Sequence, residues 1–378
     1  MVKVGNIRLK GDVVLWVVAA FLGLFSLLAV YSSVGSLALK RPDGNASFFL
    51  MKHAFMLAVG FGAMFLAHKI RFKFYSKLAV PGIVLSIILL LLTLLLGANI
   101  NNANRWLVIP IINQNFQTSD LAKIFLILFL GRFLSRNKDQ LHDFWRSTAV
   151  MLGVVLAVVL LIFPANFSTA FLLFCASVVI MFVGGVPFKH LASVFGIAIG
   201  MLAILVLINV KNPGFLPRLE TWQNRILDFN NPNAEGNYQV ELAQFAIASG
   251  GVLPKGPGNG NSRNFLPHPY SDMIYAFIVE EWGAIIGGIL PVMLYLVLLY
   301  RGMLINQKSS STFGKIVGFG LTFLIAFQAF VNMAVSVNLV PVTGQPLPLV
   351  SLGGTSTIFT CISFGIIISI SKSVTKKA

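Results

Sequence analysis

Runs of about twenty apolar residues, separated by short stretches of charges, prolines and amides, repeat along the whole chain. A run of that length crosses a hydrocarbon core as a helix that satisfies its own backbone, as the bilayer interior demands. The pattern predicts ten spans, at roughly 13–34, 51–68, 78–97, 119–135, 148–164, 168–187, 191–209, 272–300, 314–337 and 350–371. The strand-length alternation of a membrane barrel is missing. The fold class is therefore all-α and polytopic, a single integral membrane domain over residues 1–378. Between the seventh and eighth helices lies one large extracytoplasmic loop, 210–271. Within it TWQNRILDF and YQVELAQFAIA have the spacing of short amphipathic helices, so the loop is expected to be ordered.

Composition agrees with this pattern. The chain is 57% hydrophobic and 11% charged, whereas soluble domains carry about 25% charged residues. Of the 28 Lys and Arg, 18 fall on one set of connections, which are also the shorter ones, and this places both termini in the cytoplasm. The net charge of +16 then follows from that bias and from anionic headgroups, and nucleic-acid binding is not needed to explain it. The first apolar run follows a basic leader without a small-residue cleavage signal, and is expected to be a retained span. Cys175 and Cys361 both lie inside apolar spans, so neither a disulfide framework nor a zinc site is expected.

The stretch Ser249 to Gly283, SGGVLPKGPGNGNSRNFLPHPYSDMIYAFIVEEWG, leads from a polar loop into a hydrophobic helix and leaves Asp272 at the junction. Cations stand upstream: Lys255, Arg263 and, further off, Arg225. A partly desolvated carboxylate has a raised proton affinity, which suits a general base acting on a sugar hydroxyl. Ser271 and Asp272 are also good N-caps, so capping is the competing role. Glu280 and Glu281 are expected deeper along the same helix, with a structural or proton-relay role. His268 could orient Asp272 or help hold a metal. The run GPGNG has no strand or G-K-[ST] context, which excludes a nucleotide loop.

Two other segments carry candidate chemistry. In NINNANRWLVIPIINQNFQTSDLAK, the hydroxyl of Thr118 or Ser119 is the expected N-cap of a helix, and Asp120 falls in its first turn, where a helix-dipole role is the competing one. Lys123, inside that span, needs a polar cavity, with Asp120 as its nearest candidate partner and a lipid-linked phosphate as an equal alternative. The last outer loop, NLVPVTGQPLPLVSLGGTS, is irregular backbone entering the membrane, tolerated where it lines a cavity. Ser351, Gly353 and Gly354 in it are candidate substrate-binding residues.

NFLPHPYSDMIYAFIVEEWG and VTGQPLPLVSLGGTS resemble the two signature segments of the SEDS family, the FtsW/RodA glycan polymerases, and NRWL with TSDLAK resembles their second outer loop. NYQVELAQFAIASGG and FVNMAVSVNLVPVTGQ resemble FtsW of the Bacteroidetes kind more than RodA. The resemblance covers essentially the whole chain. It implies the SEDS fold and an inverting peptidoglycan glycosyltransferase that polymerises lipid II on the outer face of the cytoplasmic membrane, at the division septum. The implied partners are a class B penicillin-binding transpeptidase and other divisome proteins. Asp272 takes the position of the catalytic aspartate, and Arg105 and Lys123 those of cationic cavity residues. Asp120, Lys255, Arg263 and His268 complete the expected substrate contacts. A divalent cation, Mg or Mn, is the only cofactor considered, with no organic cofactor and no metal ligands assigned. The sequence departs from the family in having Asp120 for Glu, Asn166 for Asp, and His268 and Tyr270 for the Glu and His before the catalytic Asp.

Two rivals fit the same pattern. A lipid II flippase would use a midplane acid site reachable from both sides, and a non-catalytic divisome scaffold would need no site at all.

Overall fold

The computed structural model describes residues 2–4, 7–34, 46–99, 104–109, 114–212, 217–229, 231, 237–267 and 269–375. Helices fill every expected span: α1 (Val13–Ser33), α2 (Ala46–Lys69), α3 (Phe72–Leu96), α4 (Thr118–Arg136), α5 (Ala149–Ile162), α6 (Phe167–Val183) and α7 (Phe188–Lys211). The loop helices α8 (Pro217–Phe229) and α9 (Tyr238–Gly250) follow, then α10 (Ile274–Trp282), α11 (Leu290–Lys308), α12 (Thr312–Ser336) and α13 (Thr355–Thr375). Among the described residues, eight helical segments are long and apolar enough to cross a membrane. The other two expected spans are the shorter apolar α6 and α4, which carries Asp120, Lys123, Arg132 and Arg136.

Two features differ from expectation. The eighth span, expected to be continuous over 272–300, breaks after Trp282. Gly283 adopts φ +70°, ψ 173°, a conformation open to glycine, and a π-helical turn over Gly283–Ile289 leads into α11. Tyr275 Oη donates to Gly288 O at 3.2 Å, a contact that thirteen residues of continuous helix, about 20 Å long, could not make. The chain thus folds back on itself at Gly283. The second outer loop, for which no element is predicted, holds an antiparallel sheet of β1 (Ala98–Asn99), β2 (Asn104–Ile109) and β3 (Gln114–Gln117), with Trp106 opposite Gln117 and Leu107 opposite Phe116. NRWLVI is too short and too apolar for its alternation to be read from sequence.

The described residues group into two compact units. One comprises Met1–Lys69, Arg225–Arg301 and Ile325–Thr375. In it α2 lies along α13 so closely that a Cβ on Gly365 would stand 2.5 Å from Met64 O. Asp12 caps α1 by accepting from Val14 N, pairs with Arg301 at 3.3 Å, and donates its own N–H to Ser371 Oγ. The loop helix α9 packs on α10 through Val240, Ala243 and Ala246 against Met273 and Ala276, joined by Leu266 and Val335. This apolar contact, which removes each of those side chains from solvent, fixes the helix that Asp272 precedes.

The other unit comprises Ile70–Asn224 and Gly302–Leu324. Here α3 and α4 pack with the Phe125 ring over Gly82, where a Cβ would have no room. Asn166 caps α6, its Oδ1 accepting from Thr169 N at 3.1 Å. Trp222 of α8 rests on Phe167, ring centroids 4.4 Å apart.

Candidate active site

Asp272 lies just outside α10. The cap position is Met273, which makes no side-chain cap bond, so the capping role expected for Ser271 or Asp272 is not what the structure shows. Instead the main chain around Asp272 is tied to α12 and to the segment between α12 and α13. Asn332 Nδ2 donates to Asp272 O at 2.7 Å and to Gln345 O at 2.7 Å. Ser351 Oγ donates to Ser271 O at 2.6 Å and accepts from Leu347 N at 2.8 Å, while Leu352 N donates to Tyr270 O at 2.8 Å. Residues 270, 271 and 272 are thus each held through a carbonyl. Of its carboxylate, Oδ1 is closed off from solvent.

Arg225 is the cation brought to this acid. Its Nη1 donates to Val342 O at 2.9 Å. Gly344, at φ +63°, borders both groups: a Cβ there would lie 4.0 Å from both Arg225 Nη1 and Asp272 Oδ2. Tyr270 shares the neighbourhood, and burial, followed by the Asp272 charge, pushes its phenol pKa above the ordinary value. Beneath the loop, Ser26 Oγ spends its one hydrogen on Val350 O at 2.8 Å and so accepts from His53 Nε2 at 2.6 Å.

The Gly-rich loop is an anion cradle, and it cradles its own chain's acids. Glu280 accepts from Asn261 N at 2.9 Å, from Ser262 N and Oγ, and from Ser249 Oγ at 3.3 Å. Glu281 accepts from Gly258 N at 2.9 Å and from Ser32 Oγ, and its carbonyl accepts from Lys255 N and Gly256 N. Both side chains are buried. Their expected depth needs correction. Ser32 is in the last turn of α1, whereas Ser26, which meets the loop holding Asp272, lies about 9 Å further back along that helix. Because the chain reverses at Gly283, α10 runs from Asp272 toward the end of α1 and carries the two glutamates there.

The remaining candidates divide between the units. Lys123 Nζ pairs with Asp120 Oδ1 at 2.9 Å, as the spacing predicts, and both are largely buried. The cap of α4 is Gln117, not a hydroxyl, and it makes no side-chain cap bond. Arg105 Nε donates to Ala165 O at 2.7 Å and lines a small cavity with Gln117, Ser119 and Asn166. Lys255 is exposed and Arg263 leans toward Gly258, both on the cradle loop. Gly353 is crowded by the Ser356 and Thr357 hydroxyls, and Gly354 borders open space. His268 lies outside the described residues. Sequence reasoning missed Asn332 and gave Ser351 a substrate role when its hydroxyl is engaged with the backbone. One of two amides, with Gln328, in a largely apolar span was the available signal for Asn332.

Residues 12–376 match the cell cycle protein family of FtsW, RodA and SpoVE. The chain belongs to this family. It is 32% identical over 370 residues to the probable peptidoglycan glycosyltransferase FtsW of Geobacter sulfurreducens, covering 95% of each chain. To the corresponding protein of Nitrosococcus halophilus it is 31% identical over 350 residues, covering 89% of this chain and 87% of that one. Among solved structures it is similar to a chain of a peptidoglycan synthase complex that coordinates polymerization and crosslinking, with TM-score 0.76 and 25% identity over 96% of this chain and 98% of that one. It shares the fold of the Thermus thermophilus rod shape determining protein RodA, with TM-score 0.67 and 24% identity over 96% and 97% of the two chains. The all-α polytopic architecture expected from sequence is the fold of this family.

Proposed function

We propose that the chain is a peptidoglycan glycosyltransferase that polymerises lipid II, with Asp272 as general base. The observation that carries the assignment of the base is the triple anchoring of residues 270–272, which fixes an acid in the neighbourhood of Arg225 and Gly344. Asp272 takes the proton from the 4-hydroxyl of the acceptor's N-acetylglucosamine. That oxygen forms the new bond to C1 of the donor's N-acetylmuramic acid as the bond from C1 to undecaprenyl pyrophosphate breaks, and attack opposite an α-linked leaving group gives the β linkage. Lipid tails hold both substrates in one plane, which supplies proximity. Cations stabilise the departing pyrophosphate: Arg225 near the acid, with Lys255 and Arg263 on the loop, while the family resemblance assigns Arg105 and Lys123 a cationic role of the same kind.

Among the described residues no three His, Cys, Asp or Glu side chains converge to cage a metal. A Mg or Mn ion would arrive on the pyrophosphate oxygens, the usual mode for Mg with phosphates. The steps above run through the chain's own residues.

The finer reading places the reaction on the outer face of the cytoplasmic membrane at the division septum. Ten spans and both termini in the cytoplasm accompany it, with a class B penicillin-binding transpeptidase and other divisome proteins as partners. The charge bias of the loops supports the orientation, and the FtsW relatives support the division role. Against the flippase, Glu280 and Glu281, the acids a midplane relay would use, are occupied by the cradle loop at the end of α1. Glycan polymerisation from purified lipid II in liposomes, with native protein and Asp272→Asn, each with and without the partner, tests the assignment. Polymer from the native protein alone of the two supports it. Absence of polymer in every condition, with lipid II scrambled between leaflets, would favour the flippase.

A further inference from the structure

Asn332 sits four residues before the end of α12, in a helix apolar enough to cross the membrane, and is 1% exposed. An amide in such a place is costly unless its hydrogens are used. Both are used, and on two different segments. One bond reaches Asp272 O and the other Gln345 O, each at 2.7 Å. A residue needed only for packing here could be leucine. One needed only to hold the α12–α13 segment would bond to Gln345 alone.

We propose that Asn332 is a positioning residue for the reaction, setting the Asp272 main chain so that its carboxylate meets the acceptor hydroxyl. Asn332 is built into the wall, while Asp272 lies on the segment that leads in from the long loop. Ser351 makes the companion tie one residue earlier, at Ser271 O. The amide therefore converts a rigid helix position into a fixed position for the base. The inference rests on the reading of Asp272 as base.

The test is lipid II polymerisation kinetics with native protein, Asp272→Asn, Asn332→Leu and Asn332→Asp. A misplacement of about 1 Å costs on the order of 100-fold in rate, so kcat for Asn332→Leu should fall by about that factor. KM for lipid II and the folded fraction should stay near native values. Asn332→Asp keeps the shape and, when its carboxyl is protonated, regains one donor, so its kcat deficit should shrink as pH falls. It also carries the test if Asn332→Leu does not fold. A near-native kcat in both variants overturns the inference. So does a loss in Asn332→Asp that tracks lipid II binding or folded fraction without recovering at lower pH. Polymerase activity retained by Asp272→Asn overturns the base reading itself, a failure distinct from a silent Asn332.

Discussion

The main-chain N–H of Gly258 donates to Glu281 Oε1 across 2.9 Å, so that a glycine loop closes over a buried carboxylate of the same chain. Next to it, Glu280 collects Asn261 N and the Ser262 N–H and hydroxyl. Glu280→Ala strands those donors, and each orphaned buried group costs about 1–3 kcal/mol. Hydrogen exchange at the amides of 258–262 should accelerate strongly in Glu280→Ala. In Glu281→Gln, which keeps an acceptor for Gly258, it should change little. Equal protection in the two variants would show that the carboxylates do not hold the loop.

Lys123 and Asp120 form a largely buried pair, and breaking it from one side leaves a charge without its partner. Lys123→Met should lower stability by about 3–5 kcal/mol. Lys123→Met with Asp120→Leu should recover most of that in thermal unfolding, because no charge is then left behind. If Lys123 serves the substrate pyrophosphate, the recovered double variant stays inactive.

Asn166 occupies a position where the family usually has Asp, and its Oδ1 caps α6. Asn166→Ala should cost about 1 kcal/mol through loss of that cap. Asn166→Asp keeps the acceptor and adds a charge favourable at a helix N-terminus, so its melting temperature should equal or exceed the native one. A drop on Asn166→Asp would mean that the amide hydrogens, not the oxygen, matter at this turn.

Gly344→Ala meets two obstacles. The backbone at φ +63° resists a Cβ by about 1–2 kcal/mol, and the added methyl would border both Arg225 and Asp272. Polymerisation should fall far more than stability does. Comparable losses in both would assign the glycine to backbone conformation alone.

Tyr270 is raised by burial first and by Asp272 second. A raised phenol contributes stability that is fully present below the unfolded value of about 10 and is lost as pH climbs through the folded value. Asp272→Asn removes the second cause, so the Tyr270 phenol should ionise at lower pH than in the native protein. Selective tyrosine labelling and an NMR titration read this directly. An unchanged midpoint would separate the two side chains electrostatically.

Much of the architecture was legible because twenty-residue apolar runs have few alternatives, and α1, α4 and α12 begin and end within a few residues of the expected spans. Gly283 escaped notice because a single glycine inside an apolar run carries no mark of positive φ, and without the reversal Glu280 and Glu281 were placed too deep. Asp272 was legible from its setting at a polar–apolar junction, and the Asp120–Lys123 pair from helical spacing. Arg225 was visible only as a distant cation, since its approach to Asp272 depends on the fold of the whole loop. Asn332 and Ser351 act on carbonyls sixty and eighty positions away, and nothing local to either residue names that partner.

The N–H of Asp12 and the Ser371 hydroxyl are 359 positions apart and hydrogen-bonded, and α2 takes α13 as its main neighbour. For a chain made from its N-terminus, this sets an order of assembly. The first two helices enter the bilayer hundreds of residues before their partner exists, and the unit that carries Asp272 closes only after α13 has been made. A polypeptide stopped short of residue 355 would lack the helix on which α2 rests. Premature termination therefore leaves no half-working enzyme, only an open bundle for membrane quality control to remove.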